Sequence, residues 1–503
     1  MMSGWGTSPR RDTARSVATR ATTWRAPCRL TPGHWPPPRA WRWLRGDAPG
    51  LPILVSAALL LWPALWNHYP IVFDDTGTYI SQAVHHYLGW DRPVFYSLFL
   101  LPLHLTVTLW PAIVVQALLV SVTLHLLRRV LLPDISPWWL LPFTAWLAAV
   151  TALPWVAAQI MPDLFTALLI LALALLVFAP HRLTGTERIA MAALAAFAIA
   201  AHLSNVPLDL GLLLVLLALR RWLGDAVPLG RAGLLRLAVP PALAMVALAS
   251  VNLAGHGRFS LSPYGNMFLL ARVIYDGPGL DVLRRDCPAA RWRLCAELDA
   301  LPASSDGFLW RPDSPVVHAG GHKSVSSDAD AIIGAALRAE PGTELRAWLR
   351  NGIAQLGEFA TGDELHACPA TVGRWIRHDF PAAESARFSA SRQSHDALAV
   401  PGWLQAVHAV TAVCGIAGCA ILVLLTHRHR AAGFAATVLL ALVFNALIAG
   451  GLSTPHHRYG SRVVLLAPAV ALLGGAAWLH DRRPRLRWGA AHPHGPGGMG
   501  QTA

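Results

Sequence analysis

Eleven apolar runs punctuate this 503-residue chain, and several reach the roughly 20 residues that a helix needs to cross about 30 Å of hydrocarbon. A chain built this way must bury those runs in lipid or in one another, with every backbone polar group satisfied inside a helix. The expected fold is therefore an α-helical polytopic membrane protein. Composition agrees, since 54% of residues are hydrophobic and only 14% charged, against roughly 25% charged in an ordinary soluble domain. A soluble enzyme, a disordered chain and a collagen-like or coiled-coil rod are excluded as the main architecture.

The charges orient the runs. The chain carries a net charge of +13, yet residues 255–402 hold 15 basic and 17 acidic side chains, so the surplus lies in the two tails and the short connections. That is the positive-inside pattern rather than a groove tracking phosphates, and it argues against a nucleic-acid partner. Residues 1–48 read as a basic cytosolic tail, followed by an uncleaved start-transfer helix. Leu51–Trp66 then leads outward to a polar loop, Asn67–Arg92. Phe95–Trp110 and Pro111–Leu127 follow, ending on Arg128 and Arg129. An odd number of crossings must join an external loop to a cytosolic arginine pair. Phe95–Trp110, interrupted by Pro102 and His104, is therefore expected to lie at the outer interface.

The runs Trp138–Ala157, Leu164–Phe178, Ile189–Ala201, Val206–Leu219, Leu237–Leu253, Trp403–Thr426, Ala432–Leu452 and Val463–Leu479 then alternate in direction. The result is about ten spans with both termini cytosolic and 23 of the 26 basic residues outside 255–402 on the cytosolic side. The organisation predicted is a basic tail (1–48), a transmembrane module (49–254), a mainly helical external domain (255–402), further transmembrane helices (403–480) and a second basic cytosolic tail (481–503). Cys287 and Cys295 fall in the external domain with seven residues between them, and in an oxidising compartment they are expected to form a disulfide. Two unpaired thiols, or pairing with Cys368, are the alternatives.

This topology collects the unusual polar residues on one face: Asp74, Asp75, Tyr79, Asp91 and Arg92 in the first loop, Asp163 at the second, His202 and Asn205 at the third, and His456, His457, Arg458 and Tyr459 at the last. Charge at membrane depth is costly and tends to be paired or functional. Adjacent Asp74 and Asp75 suit a general base and its partner, or a bound cation, while helix capping by Asp75 is the competing reading. Capping competes equally for Asp163, and satisfaction of backbone groups at a helix break competes for His202 and Asn205. Arg458 offers a fork of donors matched to phosphate oxygens, with pairing to Asp74, Asp75 or Asp163 as its alternative. Zinc at His456–His457 is disfavoured because adjacent ligands on a helix diverge. There is no Gly-x-x-x-x-Gly-Lys-Ser/Thr loop, and no Gly-x-Gly-x-x-Gly opens a helix after a strand, so nothing marks a nucleotide-driven enzyme.

Asp75-Thr-Gly-Thr-Tyr79 followed by Asp91-Arg-Pro-Val-Phe-Tyr-Ser-Leu-Phe99 resembles the first loop and juxtamembrane helix of the GT-C membrane glycosyltransferases. Met161-Pro-Asp-Leu-Phe165 resembles their second acidic element, and His456–Tyr459 their terminal His-x-Arg-Tyr segment. The resemblance covers residues 50–250 and 403–480; residues 255–402 match nothing in that family. It implies a bacterial inner-membrane enzyme transferring a hexosyl or pentosyl group from a polyprenyl-phosphate carrier to an envelope glycan, lipid or protein acceptor. Asp75 or Asp74 would be the base. Arg458, with His457, Tyr459, Asp163, Tyr79, Arg92 and His202, would bind substrate and lipid phosphate, and there is room for a divalent cation. A transporter or lipid flippase, and a non-catalytic envelope assembly protein, remain as alternatives.

Overall fold

The structure, a computed structural model, describes residues 48–223, 231–427 and 429–482. The expected tails lie almost wholly outside the described residues, as does Arg428. Among the described residues the chain is helical, with no strand and one isolated parallel bridge between Ile71 and Gln159. It is an α-helical membrane protein.

Among the described residues five helices are long and apolar enough to cross a bilayer: Trp110–Leu131, Gly233–His256, Gly402–Thr426, Arg430–Gly450 and His457–Arg482. The expected count of about ten is not met on length. The reasons are local. The run Leu51–Trp66 breaks into Gly50–Leu59 and Trp62–Asn67, with Pro63 in the first turn of the second helix. Phe95–Trp110 stops at His104, where Leu105 and Thr106 both take positive φ (44° and 53°). Trp138–Ala157 breaks at Thr151, whose extended backbone ends one helix at Val150 before another starts at Leu153. Asp163–Phe178 has 16 residues, about 24 Å at 1.5 Å per residue. Every one of those residues is buried, so this helix is enclosed by protein on all sides and has no need to match the hydrocarbon thickness.

Residues 255–402 divide between two hydrophobic cores. Tyr264, Met267, Phe308, Val325, Ile332 and neighbouring side chains up to Ala336 form a core of their own. Cys368, Val372, Ile376, Phe380, Phe388 and Leu398 instead join the large core built by the membrane helices. This second part is fastened to the first loop by buried polar groups. Glu384 accepts hydrogen bonds from Tyr69 Oη (2.8 Å), Thr108 Oγ1 (2.9 Å) and the Leu109 N–H (3.1 Å). Gln393 Nε2 donates to the Val72 carbonyl at 2.7 Å while its Oε1 accepts from the Val72 N–H at 3.0 Å. Buried groups satisfied this fully specify one docking geometry. Cys287 and Cys295 are joined, their Cα atoms 5.3 Å apart.

Candidate functional site

The helix Asp74–Val84 starts with Phe73 as its N-cap residue, not Asp75. Thr76 Oγ1 accepts from the Phe73 N–H (2.9 Å) and donates to the Ile160 carbonyl (2.8 Å). The reciprocal bonds Ile71 N–H to Ala158 O (3.0 Å) and Ile160 N–H to Ile71 O (2.8 Å) run alongside. These ties bring the first loop against residues 158–163 and leave both aspartates, in the first helical turn, free of capping duty.

The two carboxylates point to different partners. Asp75 Oδ1 accepts from Arg92 Nη2 at 2.9 Å, and its Oδ2 lies 3.9 Å from Arg458 Nη1. Asp74 accepts from Thr371 Oγ1 at 2.5 Å and lies 3.1 Å from His366 Nε2, half exposed. The Arg458 guanidinium lies over two aromatic rings, its Cζ 4.1 Å from the Phe73 centroid and 5.1 Å from that of Tyr459. Its backbone N–H donates to Asp363 Oδ2 at 3.1 Å. Its Nη1 is buried and has no hydrogen-bond partner, an arrangement that costs free energy until an acceptor arrives.

One turn further on, Arg462 is fully buried and heavily bonded. Nη1 donates to Asp163 Oδ1 (2.9 Å) and His202 Nε2 (3.0 Å), and Nη2 to Ser204 Oγ (3.2 Å) and Asn445 Oδ1 (3.1 Å). A guanidinium only donates, so His202 Nε2 must be the acceptor nitrogen. His202 is thus neutral, with Nδ1–H facing Ser204 Oγ at 2.8 Å. Asp163 does not cap its helix; Pro162 holds the N-cap position and the carboxylate serves Arg462. Asn205 behaves as a backbone satisfier, donating to Ala198 O at 2.8 Å, whereas His202 does not.

Tyr79 is buried edge-on to Tyr96 at 4.9 Å, and its hydroxyl is raised above the usual tyrosine range by burial, which outweighs the opposing pull of Arg92 and is reinforced by the charges of Asp75 and Asp163. Burial also raises the Asp91 carboxyl, against the opposing pull of Arg92. The Arg92 guanidinium lies 5.3 Å over Trp310, so the separate core of residues 264–336 reaches the site through an aromatic contact. Trp90, Asp91 and Arg92 border a small cleft that runs to Leu203, Leu248 and Asn252.

Asp75, Arg92, Arg458 and Tyr459 therefore share one polar centre, with Tyr79 beside it. The Tyr459 ring stacks beneath both Arg458 and Arg462, at 5.1 and 5.2 Å, and joins this centre to the Asp163–His202 network. His457 is turned away, 2.8 Å from Glu358 Oε2. Gly460 allows this helix to touch the same loop, since a Cβ there would lie 2.0 Å from the Glu358 carbonyl oxygen. The sequence reading overlooked Arg462 as the partner of Asp163. The available signal was its i+4 spacing from Arg458, which puts both on one helical face. Among the described residues two groups of side chains have donor atoms within 4.8 Å of one another: Asp74, His366 and Cys368, and separately His85, His378 and Asp379. The first set, with carboxylate, imidazole and thiol, has donors that suit zinc.

No protein family, curated protein or solved structure matches the chain.

Proposed function

We propose that this membrane protein is a GT-C-type glycosyltransferase that moves a sugar from a polyprenyl-phosphate carrier to an acceptor hydroxyl on the external face of a bacterial inner membrane. The observation that supports it best is the buried Nη1 of Arg458, which makes no hydrogen bond although the Asp75 carboxylate lies 3.9 Å away. A planar guanidinium lying over aromatic rings with a donor to spare is a receptor for an anionic oxygen. In this reading the lipid phosphate docks on Arg458, and Asp75 Oδ2 accepts the proton of the acceptor hydroxyl. The hydroxyl oxygen then bonds to the anomeric carbon as the bond from that carbon to the phosphate oxygen breaks, and Arg458 offsets the charge left on the phosphate.

A docked phosphate would occupy Arg458, leaving Arg92 on Asp75 Oδ1 and Oδ2 facing the acceptor hydroxyl. Asp74 is the less suitable base because its oxygens face His366 and Thr371. Asp163 and His202 are engaged with Arg462, which weakens the transport reading that would use them as a relay.

The test is incorporation of labelled sugar from polyprenyl-phosphate donors in proteoliposomes at matched protein levels. Asp75→Asn is expected to lower turnover by about a hundredfold to ten-thousandfold, the usual range for a general base. Arg458→Lys should impair transfer because a point charge does not reproduce the fork. Turnover unchanged in both variants would remove the glycosyltransferase mechanism, and metabolite uptake without a transfer product would favour a transporter.

A further inference from the structure

The helix Pro341–Gly357 sits within the stretch expected to be a water-soluble domain, yet it presents Leu345, Leu349, Ile353 and Leu356 outward, 56%, 41%, 66% and 47% exposed. Spacings of four, four and three residues put these side chains on one narrow stripe. Four large aliphatic side chains on one exposed stripe are an anomaly for a surface washed by water.

The neighbouring face of the helix shows what covers the stripe. It packs on the outer end of the span Arg430–Gly450: Gly352 lies against Leu447, Gln355 against Gly450, and Trp348 against Gly451. The stripe thus continues the outward-facing apolar surface of that span, where Val443 and Leu452 are 45% and 47% exposed. Arg346 and Arg350 flank the stripe on its other side, and the Arg350 side chain is 71% exposed. An apolar stripe edged by arginines, beside the end of a membrane helix, has the form of a helix lying in the headgroup–acyl boundary. Trp348 and Trp403, at the start of the span Gly402–Thr426, supply aromatic side chains suited to the same boundary.

We infer that Pro341–Gly357 is an interfacial membrane helix, with Leu345, Leu349, Ile353 and Leu356 in the lipid on the side of the membrane that carries Asp75 and Arg458. The bilayer is the partner of this surface. The helix follows directly on the core of residues 264–336, so its insertion anchors that core to the membrane surface beside the polar centre. This inference is independent of any catalytic activity.

The full-length chain with Cys28 and Cys414 replaced by alanine keeps the buried thiols and the Cys287–Cys295 bond, and takes one nitroxide at Leu349→Cys, Ile353→Cys or Ala354→Cys. Ala354 is exposed on the side of the helix away from the stripe. In phosphatidylethanolamine–phosphatidylglycerol vesicles, labels at 349 and 353 should collide with dissolved oxygen and lose collision with a water-soluble nickel chelate, and the label at 354 should do the reverse. Nickel access at 349 and 353 equal to that at 354 would overturn the inference. Protection of 349 and 353 from both reagents would also overturn it, because it would mean that a protein surface, such as a second copy of the chain, covers the stripe.

Discussion

Arg458 and Arg462 stand one helical turn apart and have opposite roles. Arg462 is completely buried and donates to four side chains from three other segments, while Arg458 Nη1 has no hydrogen-bond partner and only a 3.9 Å ion pair with Asp75. Removing one member of a buried ion pair leaves an uncompensated charge and costs about 3–5 kcal/mol. Arg462→Met should therefore lower the unfolding midpoint in detergent sharply, and the double change Arg462→Met, Asp163→Leu should recover much of the loss. Arg458→Met should leave the midpoint near that of the wild type. Equal losses for the two arginines would show that both are structural and would withdraw Arg458 as an anion receptor. The sequence pointed to Arg458 and Asp163 because each is a charge set beside an apolar span. It could not reveal that Asp163 is satisfied by Arg462, 299 positions away, since such pairing is decided by tertiary packing.

At the scale of elements, the first-loop helix Asp74–Val84 and the helix Val372–Asp379 meet at Gly77, where a Cβ would lie 2.5 Å from the Thr371 carbonyl oxygen. Gly77→Val must push these helices apart and should cost about 1–3 kcal/mol, as overpacking of tight contacts does. Gly342→Ala, with nothing within 4 Å of the added atom, should leave the unfolding midpoint unlowered; a midpoint equally unmoved by Gly77→Val would refute the close contact. A second check concerns the covalent tie. Cys287 and Cys295 should both escape alkylation in the denatured, unreduced chain and both react after reduction, and labelling before reduction would disprove the bond. Helices were legible from apolar runs because lipid and core demand the same composition. Their breaks were harder to read: Thr151 and Leu105 end helices inside runs that remain apolar on both sides. The split of residues 255–402 between two cores was illegible, because the decisive contacts are single polar groups such as Glu384 and Gln393 reaching the first loop.

For the whole molecule, the question is whether helices shorter than a bilayer nevertheless cross it. Length alone selects five spans among the described residues, but the ionic groups around the helical core include two separate sets. Arg129 pairs with Glu187 at 2.6 Å, Arg182 Nη1 donates to the Val130 carbonyl at 2.9 Å, and Arg182 lies within the electrostatic reach of Arg430, which itself faces Asp481. The other set contains Asp75, Arg92, Asp163, His202, Arg458 and Arg462. Asp163 belongs to the second set, and Arg182, four residues after Phe178, to the first. The 16-residue helix Asp163–Phe178 thus leads from one set to the other. Trp110–Leu131 makes the same traverse, since Gln116 donates to the Gln159 carbonyl near one set and Arg129 belongs to the other. A short helix enclosed by others can connect two aqueous faces without matching the lipid, because its neighbours and not the hydrocarbon surround it. This adds Asp163–Phe178 as a candidate crossing beside the five long helices. Reporters fused after Val130, Thr184 and His429 should then read cytosolic, as the positive-inside bias requires, and those after Ile80, Ala300 and His456 external. The fusions after Ile80 and Thr184 are the discriminating pair. If both reported the same side, Asp163–Phe178 would not be a crossing and the two ionic sets would share one face.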